Sequence, residues 1–206
     1  MVLSNRKFYL HMLIKAKNKP SQALSTVINE IKKGSRDSRH PYRYVSLATF
    51  DPAAEEPNIR MLINREINKD GTVTLYTDAR THKVNELKSI GNAALLFWHD
   101  HHKVQVTLKA EVAIHNDDEV AEEYWKSDVH GAAQKAYTPL VAPGERIENP
   151  SDAHNWPKEF TSEYFCVLKC VPFEMEILQL AGKEHLRLKF KRDNPEEEWQ
   201  GDWIAP

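Results

Sequence analysis

The sequence predicts a mainly β protein, a β-barrel with appended helices, and three observations carry that expectation. Many short runs rich in β-branched and aromatic residues lie between turn signals. Only three segments place apolar residues at helical spacing. One stretch, Lys103 to Ile114, puts Val104, Val106, Leu108, Ala110, Val112 and Ile114 on one face and Gln105, Thr107, Lys109 and Glu111 on the other. That period of two is the mark of a long, half-buried antiparallel strand.

From the N-terminus, Ser21 to Lys33 carries Leu24, Val27, Ile28 and Ile31 at helical spacing, with Gly34 as the expected stop. Residues 1–40 are thus read as a helical segment packed on a single domain that spans residues 1–206. Strands follow at Tyr44 to Phe50, Asn58 to Ile67 and Thr72 to Thr77, the last two joined by an Asp70-Gly71 turn. A helix using Val84, Leu87 and Ile90 stops at Gly91. The strand Ala93 to Trp98 leads into the long alternating one. Asn116 is the expected cap of a further helix with an acidic first turn, which suits the helix dipole. On it Tyr124 and Trp125 read as core anchors. Four prolines and Gly144 between Pro139 and Pro157 indicate a long surface loop. A meander of Phe165 to Val171, Phe173 to Leu180, His185 to Lys191 and a strand around Trp203 closes the chain.

Composition narrows the function classes. A net charge of -2 lacks the concentrated basic field of a nucleic-acid surface. The segment FYLHMLIKAK is interrupted by His11 and Lys15 and has no cleavage site, so neither a signal peptide nor a membrane span is expected, and the protein reads as cytoplasmic. Cys166 and Cys170 lie four apart on one face of a strand, roughly 13 Å from each other, and read as two buried thiols.

The segment from Asn58 to Lys83 carries the chemistry. Arg80, His82 and Lys83 crowd the start of a helix, where the N-terminal dipole disfavours cations. A bound anion resolves that conflict. Free backbone N–H groups, the Thr77 and Thr81 hydroxyls and the basic side chains describe a phosphate cradle built without glycine, although a solvated basic turn accounts for the same residues. None of the seven glycines forms a GxG pair, which excludes Rossmann and P-loop sites. No HExxH, CxxC or GxSxG occurs either, so zinc-protease, zinc-ribbon and hydrolase readings fall away. His99, His101 and His102 form one metal-like cluster, which a hairpin turn with exposed imidazoles explains without a metal.

The strand IRMLINR (Ile59 to Arg65), the segment LYTDARTHKVNEL (Leu75 to Leu87), AALLFW (Ala93 to Trp98), KVQVTLKAE (Lys103 to Glu111) and the terminal RLKFKRDNPEEEWQGDWIAP together resemble the pyridoxamine 5'-phosphate oxidase-like flavoproteins, which hold FMN in a split β-barrel. YTDAR-xx-KV and RYVSLATF are more similar to the cyanobacterial and plant FMN-binding branch than to the vitamin B6 oxidase. The resemblance implies a homodimer with FMN at the subunit interface and a small-molecule substrate. It matches Arg60 to the strand arginine of the FMN site, and Met61, Leu62 and Ile63 to the backbone bordering the flavin ring. Tyr76 and Thr77 match a strand-end pair near the cofactor, and Thr81, His82 and Lys83 match the phosphate contacts, with His82 in place of an arginine. Lys103 or Gln105 matches the strand glutamine, and Arg187 a cofactor-side arginine.

Departures accompany the match. Tyr124 is present, but Asp128 and Ala132 stand where the oxidase uses an arginine and a serine for the substrate phosphate. Lys183, Glu184 and His185 replace its Arg-x-His, and Ile177 or Leu178 lies where a tryptophan is expected. A carboxylate in place of an arginine repels a phosphate dianion, which argues against pyridoxamine phosphate oxidation. The function implied is an FMN-dependent oxidoreductase of unknown substrate. The alternative is a non-catalytic flavin- or haem-binding protein, with the His99 to His102 cluster as the source of an axial ligand.

Overall fold

The computed structural model describes residues 12–181 and 184–206. Helix α1 (Pro20–Arg36) has proline in its first turn and buries Leu24, Val27, Ile28 and Ile31, the positions its spacing singles out, together with Ala23. Gly34 does not end it. The helix continues to Arg36, and a Cβ at Gly34 would stand 2.4 Å from the Tyr42 carbonyl oxygen. Glycine is there for close approach of another backbone.

Among the described residues nine strands follow, all paired antiparallel: β1 (Tyr44–Asp51), β2 (Glu56–Ile63), β3 (Glu66–Ile67), β4 (Val73–Asp78), β5 (Asn92–His99), β6 (Val104–His115), β7 (Phe165–Gln179), β8 (Leu186–Lys191) and β9 (Gln200–Ile204). Their order is β2-β1-β5-β6-β7-β4-β3, and β8 and β9 extend from β7. The strand expected over Asn58 to Ile67 is therefore divided: β2 pairs with β1, while β3 pairs with β4 at the far end of the sheet. One extended stretch of chain thus joins both ends of the sheet and draws it toward a barrel. At the break Asn64 is fully buried. Its amide donates to the Ile31 and Tyr42 carbonyls, which ties α1 to the barrel.

Two further expectations change. Pro172 does not separate two strands, because β7 runs unbroken for 15 residues. Lys109 faces Glu174 and Ala110 faces Pro172, so Phe173 is an extra residue, and this bulge accommodates a proline that has no N–H to give. Helix α3 (Glu119–Asp128) is capped by Asp118, whose side chain accepts from the Ala121 N–H at 2.9 Å. The Asn116 amide is committed instead to the Glu163 and Phe165 carbonyls.

The barrel interior is filled by the apolar faces of β1, β4, β5, β6 and β7, closed on one side by α1 and by Val84 and Leu87 of α2 (His82–Ser89). A second cluster, with Tyr76, Trp125, Tyr137 and Phe165, packs α3 against β4 and β7. Cys166 and Cys170 are free and buried as expected, and burial pushes both thiols up to about 12, which leaves them unreactive. The stretch from Pro139 to Pro157 is a loop with one short 3-10 turn, Pro150–Ala153. Among the described residues no helix is long and apolar enough to cross a membrane.

Candidate functional site: a basic cradle at the start of helix α2

The cradle lies where the end of β4 and the first turn of α2 meet β1 and β2. Arg60 reaches from β2 to the Thr49 hydroxyl and lies 3.2 Å from Glu86 Oε2. Glu86, on α2, is 5% exposed and also accepts from Thr49 and from the Asn58 amide. Lys83 comes from the first turn of α2, and its Nζ donates to Thr77 Oγ1 at 3.1 Å. Among the described residues no carboxylate lies within ion-pair distance of Lys83. Burial, and then the nearby Arg60 charge, push its pKa down. Thr77 and Thr81 bring their hydroxyl oxygens within 3.5 Å of each other. Thr81 occupies the N-cap position, yet its hydroxyl donates to the Asp78 carbonyl at 2.8 Å and caps no helix N–H.

This arrangement fits the phosphate of FMN. Arg60 and Lys83 contribute two positive charges against the single carboxylate of Glu86, and the surplus sits on a desolvated ammonium beside an uncapped helix start. A half-buried ammonium with no carboxylate at ion-pair distance is costly, and a phosphate dianion would supply a counter-ion and could accept from the free helix N–H groups. Arg80 is not part of the cradle. Its guanidinium makes two bonds to Asp78 and one to the Pro139 carbonyl, and stacks 3.8 Å from the Tyr164 ring centroid. His82 is exposed and faces the loop at Gly144, whose φ of +95° suits glycine.

The remaining residues implied by the resemblance lie elsewhere. Met61 is 60% exposed on the outer face of β2, in a cross-strand row with Ser46, Leu96, Thr107 and Glu176. Leu62 and Ile63 are half-buried, and Leu62 packs on the core. Gln105 lies in β6 opposite Leu178, which in turn faces Arg187 of β8. Arg187 is held by Glu176 at 2.8 Å. Lys103, the alternative to Gln105, occupies the turn before β6 at φ 52°. Tyr76 and Thr77 are adjacent but separate: Thr77 joins the cradle, whereas Tyr76 donates to Asp128 Oδ2 at 2.6 Å on the α3 side. The chain therefore gathers Arg60, Thr77, Thr81 and Lys83, and leaves Met61, Gln105 and Arg187 on the sheet's outer face.

A cavity of about 540 Å³ opens between α1, β3 and α3. Arg65, Glu66, Tyr124 and Asp128 line it. Arg65 and Glu66 escaped the sequence reading because they fall inside an expected strand. The available signal was a pair of charges within an otherwise apolar run. Ala132 lies beyond α3 in an exposed 3-10 segment, Gly131–Ala136. Lys183 falls outside the described residues.

The histidines differ from the expected exposed turn. His99 is 4% exposed, whereas the His101 side chain is 78% exposed. Glu30, His40 and His99 bring potential ligand atoms within 4.8 Å of one another. His40 Nδ1 accepts from the Tyr42 N–H at 3.1 Å and His99 Nδ1 from the His102 N–H at 3.3 Å. Both rings therefore carry their proton on Nε2, at 3.0 and 3.8 Å from Glu30 Oε1. The geometry is that of a hydrogen-bonded cluster around a carboxylate, since ligation would need those same Nε2 lone pairs.

Burial, and then the neighbouring His102 and His40, hold His99 near a pKa of about 4 against an ordinary 6.5. The unfolded chain takes up this proton below pH 6.5 and the folded one only near 4, so stability decreases as the pH is lowered through that window. We expect a loss of up to about 3 kcal/mol between pH 7 and 4, read by urea unfolding. In His99→Gln that part of the slope disappears. An unchanged slope in the variant would refute the assignment.

Comparison with known proteins follows this geometry. Residues 20–116, which include every cradle residue, match the family model described as pyridoxamine 5'-phosphate oxidase, FMN-binding domain. The chain is 29% identical over 167 residues to a pyridoxine/pyridoxamine 5'-phosphate oxidase of Sinorhizobium fredii, covering 76% of this chain and 79% of the relative. It is 26% identical to the protein of that name from Pelagibacter ubique, covering 90% and 88%. Among solved structures, a pyridoxamine 5'-phosphate oxidase-related FMN-binding protein of Nostoc punctiforme superposes with a TM-score of 0.71 at 21% identity, over 87% of this chain and 96% of that one. PhzG of Burkholderia lata, solved with tetrahydrophenazine-1-carboxylic acid, gives 0.68 at 16% identity over 93% and 95%. These two likenesses concern the fold.

Proposed function

Because this chain belongs to the pyridoxamine 5'-phosphate oxidase-like family of FMN-binding split barrels, we propose that it is an FMN-dependent oxidoreductase acting on a small molecule. The observation that carries the proposal is Lys83. It is a half-buried ammonium that has no carboxylate within ion-pair distance among the described residues, set beside Arg60 and an uncapped helix start within the matched domain. In this reading Arg60 and Lys83 bind the FMN phosphate, and Thr77 and Thr81 supply hydroxyl contacts. His82 flanks the cradle, exposed beside the loop at Gly144. FMN, when bound, supplies the hydride-accepting chemistry, and the protein supplies binding, orientation and exclusion of water.

The functional unit is a homodimer. Ile59 and Met61 are 69% and 60% exposed on an edge strand, beside exposed Tyr44, Phe50 and Trp98 on neighbouring strands. An apolar sheet face of this kind is one that soluble proteins cover. A second copy would also explain the division of the site, since Met61, Gln105 and Arg187 lie on that face, away from the cradle. They would border a flavin whose phosphate is held by the partner subunit.

An absorbance spectrum of the purified protein tests the cofactor, and a titration of the FMN-free form tests its affinity. Flavin absorbance at one FMN per chain is the expected result. Colourless protein without FMN affinity would overturn the proposal, and a Soret band would favour haem in its place.

A further inference from the structure

Glu86 is a buried carboxylate inside a site built for an anion, and the phosphate contacts leave it without a role. It stands on α2 one turn beyond Lys83 and is 5% exposed. Donors from two strands converge on it. Thr49 of β1 faces Asn58 of β2 across the sheet, and Arg60 follows Asn58 on the same face of β2. Glu86 Oε1 accepts from the Asn58 amide at 3.0 Å, and Oε2 accepts from the Thr49 hydroxyl and from Arg60 Nη2, the latter at 3.2 Å. Arg60 Nη1 donates to the same Thr49 hydroxyl, so Thr49 relays between the two and the guanidinium plane is fixed. A structural tie between α2 and the sheet accounts for these bonds, because a neutral amide oxygen could accept them too. It does not account for the charge. A carboxylate here repels a phosphate and cancels a cation that would hold it, and Glu86 also attracts Lys83 from beyond ion-pair distance.

We infer that Glu86 sets the phosphate affinity of the cradle: it holds the Arg60 guanidinium in place while cancelling its charge, so that FMN is bound less tightly than two free cations would bind it. In exchange, the FMN-free fold is spared an unpaired arginine at the junction of α2 and the sheet. The inference rests on the flavoprotein reading, since it takes the anion of the cradle to be the FMN phosphate. Charge and geometry can be separated at this position. Glu86→Gln keeps an oxygen for Thr49 and Arg60, and its amide end meets Asn58 once the Asn58 amide turns over, so the substitution removes the charge and little else.

The test is titration of the FMN-free wild type and of Glu86→Gln with FMN and with riboflavin, which lacks the phosphate. We expect Glu86→Gln to bind FMN about tenfold tighter and riboflavin as the wild type does. Its FMN-free form should unfold at a lower urea concentration, because Arg60 has lost its counter-charge. Affinity and stability thus move in opposite directions, whereas a merely structural role would lower both. FMN binding that is unchanged or weaker in Glu86→Gln, or a gain shared equally by riboflavin, overturns the inference and leaves the flavoprotein reading standing. Wild-type protein that binds neither flavin, or FMN no better than riboflavin, overturns the phosphate assignment and this inference with it. Should Glu86→Gln not fold, Glu86→Asp draws the carboxylate back from Arg60 and is read on the same scale. A smaller shift of the affinity ratio toward FMN is then expected, and an unshifted ratio overturns the inference.

Discussion

Replacing Lys83 with glutamate should lower FMN affinity by about 3 kcal/mol, roughly a hundredfold, because one charge-assisted contact to the phosphate is lost and a repulsive charge takes its place. The same position should behave oppositely in stability. Among the described residues no carboxylate lies within ion-pair distance of Lys83, and burial together with the Arg60 charge outweighs the attraction of Asp78 and Glu86, so its charge is a burden on the FMN-free fold. Lys83→Met in the FMN-free protein should therefore match or exceed the wild type in urea unfolding while binding FMN poorly, a trade of stability for function. Arg60→Ala is the contrast. It removes the ion-pair partner of Glu86, a carboxylate only 5% exposed, so both affinity and stability should fall. If Lys83→Met and Arg60→Ala had the same effect on the FMN-free protein, or if Lys83→Glu bound FMN normally, the phosphate assignment would fail.

The second large effect is expected at the outer face of β2. Ile59→Asp combined with Met61→Asp places two carboxylates on the face assigned to the partner subunit, and a charge buried in an apolar interface costs several kcal/mol. Light scattering after gel filtration should show monomers, and flavin should be lost with the dimer, since Gln105 and Arg187 are proposed to reach the ring from the other copy. Both substituted side chains are more than half exposed in the single chain, so the protomer itself should stay folded. A monomer that keeps stoichiometric FMN would disprove the shared site.

Much of the barrel is legible because strand periodicity is local. The alternation over Lys103 to Ile114 needs only a core on one side, and the structure buries Val104, Val106, Leu108 and Ala110 accordingly. Three elements were misread where a distant partner decides the outcome. Gly34 lies inside α1 because the Tyr42 backbone passes against it, Asn64 breaks a strand to reach α1, and Pro172 sits in a bulge that only the β6 register reveals.

The cradle divides along the same line. The sequence by itself determined that cations crowd the start of α2, since dipole and charge are properties of adjacent residues, and the resemblance adds a flavin phosphate to that reading. Only the tertiary structure decided which cations remain available. Arg80 is neutralised by Asp78 two residues away and Arg60 by Glu86 from another element, while Lys83 reaches only the Thr77 hydroxyl and has no carboxylate within ion-pair distance among the described residues. It likewise buried His99 against Glu30, sent Tyr76 to Asp128 and Thr77 to the cradle, and opened the cavity around Arg65. The physical reason is common to all of these: a charge's strength and direction depend on burial and on which partners, near or far along the chain, folding brings within reach.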